Sequence, residues 1–333
     1  MMFGRSLFKA VVILALCSGA AHAQFTFEKG DNVAIIGNAL PDRMQHDGWM
    51  ETYIQTANPD KNLALRTLAF SGDEVAKRPR EEGYPSPNDL LTLVKANVIF
   101  AFFGYNESFC HDPELFKKDL RAFIDETLAK KYDGKGAPRI VLFSPIAYEN
   151  LNSPNFPDGI EINLWLSIFT DAMARVAGEK GVTFVDLFAP TRALYSEIEE
   201  PLTINGVHLN DRGNKELAKI IVKALGQEPS EKSIDLVHTA VLDKNWNWFN
   251  RYHATDGNDV WGNRSILKFV DEQTNAEVLQ HELVMLDAKS ASRDVVIWSA
   301  ANGKSIKPDD SKMPTPLLVK TNIAPDGKTG STT

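Results

Sequence analysis

The chain has 333 residues, of which 43% are hydrophobic and 24% charged, enough for one large domain plus an appendage and unlike a chain disordered throughout. Its formal net charge is −8, with Lys and Arg scattered along the sequence, a balance that disfavours nucleic acid or an anionic membrane surface as the main partner.

In chain order, Arg5 and Lys9 precede an apolar run from Ala10 to Leu16, and small residues follow up to Ala21-His22-Ala23. This layout predicts a signal peptide over residues 1–23, cleaved after about Ala23, and hence a protein exported to the periplasm or beyond the cell. The run falls short of the roughly 20 apolar residues that a membrane anchor needs, so no stable membrane insertion is expected after cleavage. Cleavage also removes Cys17, leaving Cys110 as the sole cysteine and ruling out an intrachain disulfide. The remaining histidines, His46, His111, His208, His238, His253 and His281, show no HExxH or comparable spacing, so neither a metal nor another cofactor is expected.

Residues 24–226 form the main predicted domain. Short apolar runs at Val33–Ile36, Leu63–Phe70, Val98–Phe103, Ile140–Pro145 and Thr183–Leu187 predict five buried strands. Between them lie helical patterns: Glu114–Lys131, with Leu115, Leu120, Phe123, Ile124 and Leu128 on one face, then Asn163–Lys180 and Asp211–Leu225. Such alternation predicts an α/β/α sandwich around a parallel five-stranded sheet, with ligands at the carboxyl ends of the strands. Around Gly226 the pattern changes. Residues 227–302 predict a small, mainly helical appendage, with a long helix over about Thr274–Ser290 and a cluster of aromatics from Trp246 to Trp261. That cluster either docks the appendage onto the sandwich or forms a wall on which sugars stack. Residues 303–333, rich in Pro, Gly, Ser and Thr, predict an extended or disordered tail.

Function in this architecture collects at strand ends. The first strand runs into Gly37-Asn38-Ala39-Leu40, the second into Ser71-Gly72-Asp73 and the third into Gly104-Tyr105-Asn106-Glu107; Asn205-Gly206-Val207-His208 precedes the last core helix. These four blocks, in this order, resemble the SGNH or GDSL-like hydrolases, a family of esterases, lipases and carbohydrate deacetylases with a flavodoxin-like three-layer fold. The resemblance implies an ester hydrolase acting on acyl or O-acetyl groups, and a small-molecule or carbohydrate ester as ligand. It also implies roles: backbone N–H of Gly72 and side-chain amide of Asn106 as oxyanion donors, and His208 as general base. Two positions depart from the pattern. Ala39 stands where the serine nucleophile belongs, and Asn205 where an aspartate would orient the histidine; Asn38 and Glu107 also replace the usual aspartates of their blocks.

Acyl transfer needs a nucleophile, a base within reach of it and donors aimed at the developing oxyanion. Loss of the nucleophile in serine hydrolases costs on the order of 10⁶-fold in turnover, and Asp to Asn at the orienting position about 10⁴-fold. Ser71 offers a substitute nucleophile paired with His208, or else a hydroxyl that bonds locally, as serine in turns commonly does. A further route is water activated by His208 with Asp73 or Glu107 as a helper; Glu107 alternatively serves as an N-terminal helix residue. His46 either lines the pocket or lies exposed on a helix, and Trp49 and Met50 are expected in the core. The sequence therefore leaves two expectations: a hydrolase with a non-standard catalytic set, or a catalytically inactive protein that binds an ester or carbohydrate on the same fold.

Overall fold

The computed structural model describes residues 25–80, 83–254, 256–268, 272–321 and 330–332; the predicted signal peptide lies outside them. In chain order the elements are β1 (Asn32–Gly37), α1 (Ala39–Asp47), α2 (Trp49–Ala57), β2 (Ala64–Thr67), α3 (Pro87–Leu93), β3 (Val98–Phe102), α4 (Tyr105–Ser108), α5 (Pro113–Leu128), β4 (Arg139–Phe143), α6 (Ile160–Lys180), β5 (Thr183–Val185), α7 (Phe188–Glu197), α8 (Asp211–Ala224), α9 (Ile234–Tyr252), α10 (Gly257–Val260), α11 (Asn275–Ala301), β6 (Val319–Thr321) and β7 (Gly330–Thr332).

The first five strands form one parallel sheet in the order β2-β1-β3-β4-β5. This is the flavodoxin-like order, whose direction of progression reverses between β1 and β3, where open α/β sheets bind ligands. Strand periodicity builds two cores. Val33, Ile35, Phe100, Phe102, Val141 and Phe143 face one layer with Met44 and Tyr53 from α1 and α2 and Leu217 and Ile221 from α8. Ala34, Ile36, Ile99, Ala101 and Leu142 face the other, with Leu120 and Ile124 from α5 and Phe169 and Met173 from α6. Burying each large side chain contributes about 1.5–3 kcal/mol, which is why the strands are near-continuous apolar runs. Within α5 the buried face is Phe116, Leu120, Ile124 and Thr127, and Leu115 is 48% exposed. The predicted apolar stripe thus begins one residue later than expected.

The C-terminal helices close the sheet. β2 pairs only with β1, so the carbonyls of residues 63, 65, 67 and 69 point away from the sheet as an unpaired edge. Each accepts a hydrogen bond from α9 or α11: Leu63 from Trp298 Nε1 (2.8 Å), Leu65 from Lys244 Nζ (3.0 Å), Thr67 from Trp248 Nε1 (2.6 Å) and Ala69 from Tyr252 Oη (3.3 Å). Two ion pairs reinforce the seam. Buried Lys244 meets Glu51 at 2.6 Å, and Arg66 grips both oxygens of Asp294 at 2.9 and 2.5 Å. Burial pushes Glu51 up and Lys244 down from their ordinary values, the direction expected of charges taken out of water. Within the aromatic cluster Trp248 and Tyr252 are buried in this seam, Trp261 meets the Tyr84 ring at 4.6 Å, and Trp246 is 67% exposed. α11 continues to Ala301, well past the expected Ser290, because its Thr274 capping box sets the start while its far end packs Ile297, Ala300 and Ala301 against α9. In the C-terminal stretch β6 and β7 pair antiparallel, which the composition did not suggest.

Candidate active site

The sheet's reversal point carries the first block. Gly37 has φ +136°, and a Cβ there would lie 2.1 Å from the Phe102 carbonyl oxygen, so only glycine lets β1 end this close to β3. The Asn38 N–H then donates to that same oxygen (3.2 Å), and its side chain accepts from the Leu40 N–H (3.1 Å), capping α1. Ala39 is therefore the first residue of a helix at the strand's end. It lines a cavity of about 50 Å³ together with Arg43, Phe102, Tyr105, Val207 and His208.

His208 reaches the cavity from the loop before α8. Gly206 makes the turn possible: its φ is +84°, and a Cβ would lie 2.3 Å from the Tyr148 ring. The Asn205 Oδ1 accepts from the backbone N–H of His208 (2.9 Å) and of Val207 (3.3 Å), which fixes the amide's orientation. The ring Nδ1 then lies 3.0 Å from Asn205 Nδ2 and 3.1 Å from Oδ1. A neutral amide orients the imidazole but gives no charge to stabilise its protonated form. Burial, followed by the nearby Arg43 charge, pushes His208 below its ordinary value, so the ring is neutral at neutral pH.

The other two blocks lie on adjacent loops. Gly72, with φ +93°, is exposed with no atom near its Cβ position. Asn106 donates one side-chain N–H to the Asp73 carbonyl (2.9 Å), tying the β3 loop to the β2 loop. The structure thus brings Ala39 and His208 to one cavity, whose lining does not include Gly72 or Asn106.

Several expected roles find other partners. The Ser71 hydroxyl and N–H both donate to Asp42 Oδ2 (2.7 and 2.9 Å), so its proton points at a carboxylate rather than at His208. Burial works to raise Asp42, yet the His253 ring, 3.3 Å away, and the Ser71 groups hold its carboxyl below the ordinary value. Neither proposed helper carboxylate is free: Asp73 forms a bidentate pair with Arg80 (2.8 Å each), and Glu107 accepts from the Val75 and Gly104 N–H groups (2.8 Å each). Glu107 is thus the N-terminal helix residue of α4. His46 packs on Phe249, ring centroids 4.8 Å apart, outside the cavity, while Trp49 and Met50 are buried in the core. The cavity's own hydroxyls are also committed or unreactive. Ser144 Oγ accepts from the Leu187 and Phe188 N–H groups and donates to the Pro145 carbonyl, and burial pushes the Tyr105 phenol up to about 12.

Two further lining residues, Arg43 and Asn214, were not singled out from the sequence. Arg43 was detectable, since four residues after Ala39 places it on the same helix face; Asn214 carries no such signal. Among the described residues no group of three or more His, Cys, Asp or Glu side chains converges as a metal site would require, and no helix is long and apolar enough to cross a membrane.

A flavodoxin-ordered α/β/α sandwich, with a strand-to-helix turn and a loop histidine sharing one cavity at the sheet's reversal point, is a hydrolase-type scaffold. The chain belongs to the GDSL-like lipase/acylhydrolase family, whose profile matches residues 39–216, more than half of the 333. No curated protein matches it. Among solved structures, it is similar to the acetylxylan esterase Axe2 from Geobacillus stearothermophilus (17% identity, 60% of this chain and 96% of that one, TM-score 0.46). It is similar also to LAE5, an alpha/beta hydrolase enzyme from the metagenome of Lake Arreo, Spain (18% identity, 60% and 97%, TM-score 0.45). A third is BT4096, a gut microbial diltiazem-metabolizing enzyme (19% identity, 61% of this chain, TM-score 0.46); the chain spans 48% of that protein's length.

Proposed function

We propose that this protein is an exported member of the family that binds a small-molecule or carbohydrate ligand in the Ala39–His208 cavity and does not hydrolyse esters through an acyl-enzyme. The observation that carries this is the absence of an activated hydroxyl beside His208 among the described residues: Ala39 has none, Ser71 donates to Asp42, and Ser144 is engaged by backbone groups. Asn205 supports the same reading, because a catalytic histidine has to carry a proton during acyl transfer and no carboxylate beside it stabilises that charge. Export is supported by the charged, apolar and small-residue layout of residues 1–23.

The test is hydrolysis of p-nitrophenyl acetate by the purified mature protein, beside Ala39→Ser and Ala39→Ser/Asn205→Asp. The unmodified protein is expected at the background rate and inert to a fluorophosphonate, and the double variant is expected to gain activity and a label. Turnover by the unmodified protein that disappears in Ser71→Ala or His208→Ala would overturn the proposal.

A further inference from the structure

Asn205 is followed by Gly206, and glycine brings no Cβ to hinder the approach of its backbone nitrogen to the asparagine side-chain carbonyl. That nitrogen and Asn205 Cγ would close a five-membered ring, so the chain itself keeps them close. The fold adds a partner for each group in such a closure. The Gly206 N–H donates to Thr203 Oγ1 (2.9 Å), whose hydroxyl donates in turn to Oε2 of buried Glu149 (2.6 Å). Asn205 Oδ1 accepts from the His208 and Val207 N–H groups (2.9 and 3.3 Å), two donors placed where an oxyanion on Cγ would form. Asn205 Nδ2, the leaving nitrogen, lies 3.0 Å from His208 Nδ1. Asn205 is only half-buried, which leaves it open to water.

We propose that Asn205 is a modification site, which the folded chain converts unaided to aspartate through a succinimide. The Gly206 nitrogen attacks Cγ while its proton passes to Thr203 and the Thr203 proton to Glu149. The Cγ–Nδ2 bond then breaks. The nitrogen leaves as ammonia with the proton of His208 Nδ1, as Nε2 takes one from solvent and Glu149 returns its own. Water adds to Cγ and breaks the new bond to nitrogen, so the net change is amide plus water to carboxylate plus ammonia. Addition to the main-chain carbonyl would give isoaspartate instead; the donors on Oδ1 polarise Cγ and favour aspartate. The product carries a carboxylate beside His208, the group the family pattern has at this position. This goes beyond the binding function and holds whatever ligand the cavity takes.

Asn302-Gly303, the other Asn-Gly pair in the sequence, is an internal reference. Its Nδ2 donates to the Pro59 and Trp298 carbonyls (2.7 and 2.9 Å) and the Gly303 N–H to the Ala300 carbonyl (2.8 Å), so no hydroxyl takes the proton. The test is peptide mapping by mass spectrometry of the purified protein held at neutral pH, folded and in urea, with fragmentation that separates aspartate from isoaspartate. In the folded protein Asn205 is expected to convert about a hundredfold faster than Asn302 and than itself in urea, the lower end of what general acid–base catalysis and oxyanion donors supply. The product should be chiefly aspartate. Thr203→Val, with folding checked by circular dichroism, should slow Asn205 towards its rate in urea and leave Asn302 unchanged. The His208 NMR titration of the aged protein should move up to that of Asn205→Asp. Conversion of Asn205 no faster folded than in urea, isoaspartate as the main product, or an undiminished rate in folded Thr203→Val would overturn the proposal. Should Thr203→Val not fold, the comparison of folded protein with urea decides alone.

Discussion

At the scale of single residues, the site turns on what stands beside His208. In a serine hydrolase the carboxylate at the orienting position holds the imidazole and stabilises its charge; Asn205 keeps the first property and lacks the second. Burial and then Arg43 depress the His208 value below 6.5. The unfolded chain therefore binds more protons than the folded one just below 6.5, and this group's contribution to stability is lost as pH falls from there to the folded midpoint. An NMR titration of the His208 ring is expected to give a midpoint below 6.5, raised in Asn205→Asp by the new carboxylate and in Arg43→Gln by loss of the cation. An unmoved midpoint in Asn205→Asp would mean that residue 205 does not govern the ring. These residues were legible because each sits at a strand end that the apolar pattern marks. The commitments of Ser71 to Asp42 and of Asp73 to Arg80 were not, because they join side chains whose distance no local pattern reports.

At the scale of elements, the seam between β2 and the C-terminal helices makes graded predictions. Lys244→Met leaves Glu51 buried without its cation and is expected to cost about 3–5 kcal/mol. Trp248→Phe keeps most of the ring packing but removes the donor to the Thr67 carbonyl, costing about 1–3 kcal/mol. Trp298→Phe should cost less, because the Leu63 carbonyl also accepts from Gln55 Nε2 at 2.9 Å. Urea denaturation of the three variants checks the order. If Trp298→Phe proved as costly as Trp248→Phe, satisfaction of the edge carbonyls would not be what these indoles contribute.

At the scale of the molecule, β1, β3 and β4 were legible because each is buried on both faces and reads as an apolar run, Val98–Phe103 against the observed Val98–Phe102 for β3, whereas the expected Leu63–Phe70 run overran the four-residue β2 (Ala64–Thr67), in which alternate residues are only half-buried. The seam was not, because an edge carbonyl carries no sequence signal and its donors lie more than 170 residues away along the chain. The sequence pattern placed a boundary at Gly226, and the family profile ends at residue 216, yet the edge of the sheet is completed by residues from 244 to 298. A chain ending at Gly226 would lose every α9 and α11 donor to the β2 edge, the partners of Glu51 and Arg66, and the burial of core residues against Trp248 and Tyr252. An open, partly apolar strand edge recruits another copy. The shortened chain is therefore expected to self-associate or fail to fold, seen by size-exclusion chromatography and circular dichroism. The full chain, with one continuous seam, should unfold in a single transition followed alike by tryptophan fluorescence and far-ultraviolet circular dichroism. A monomeric shortened chain with its sheet intact, or two separate transitions in the full chain, would show that the C-terminal helices decorate the sandwich rather than complete it.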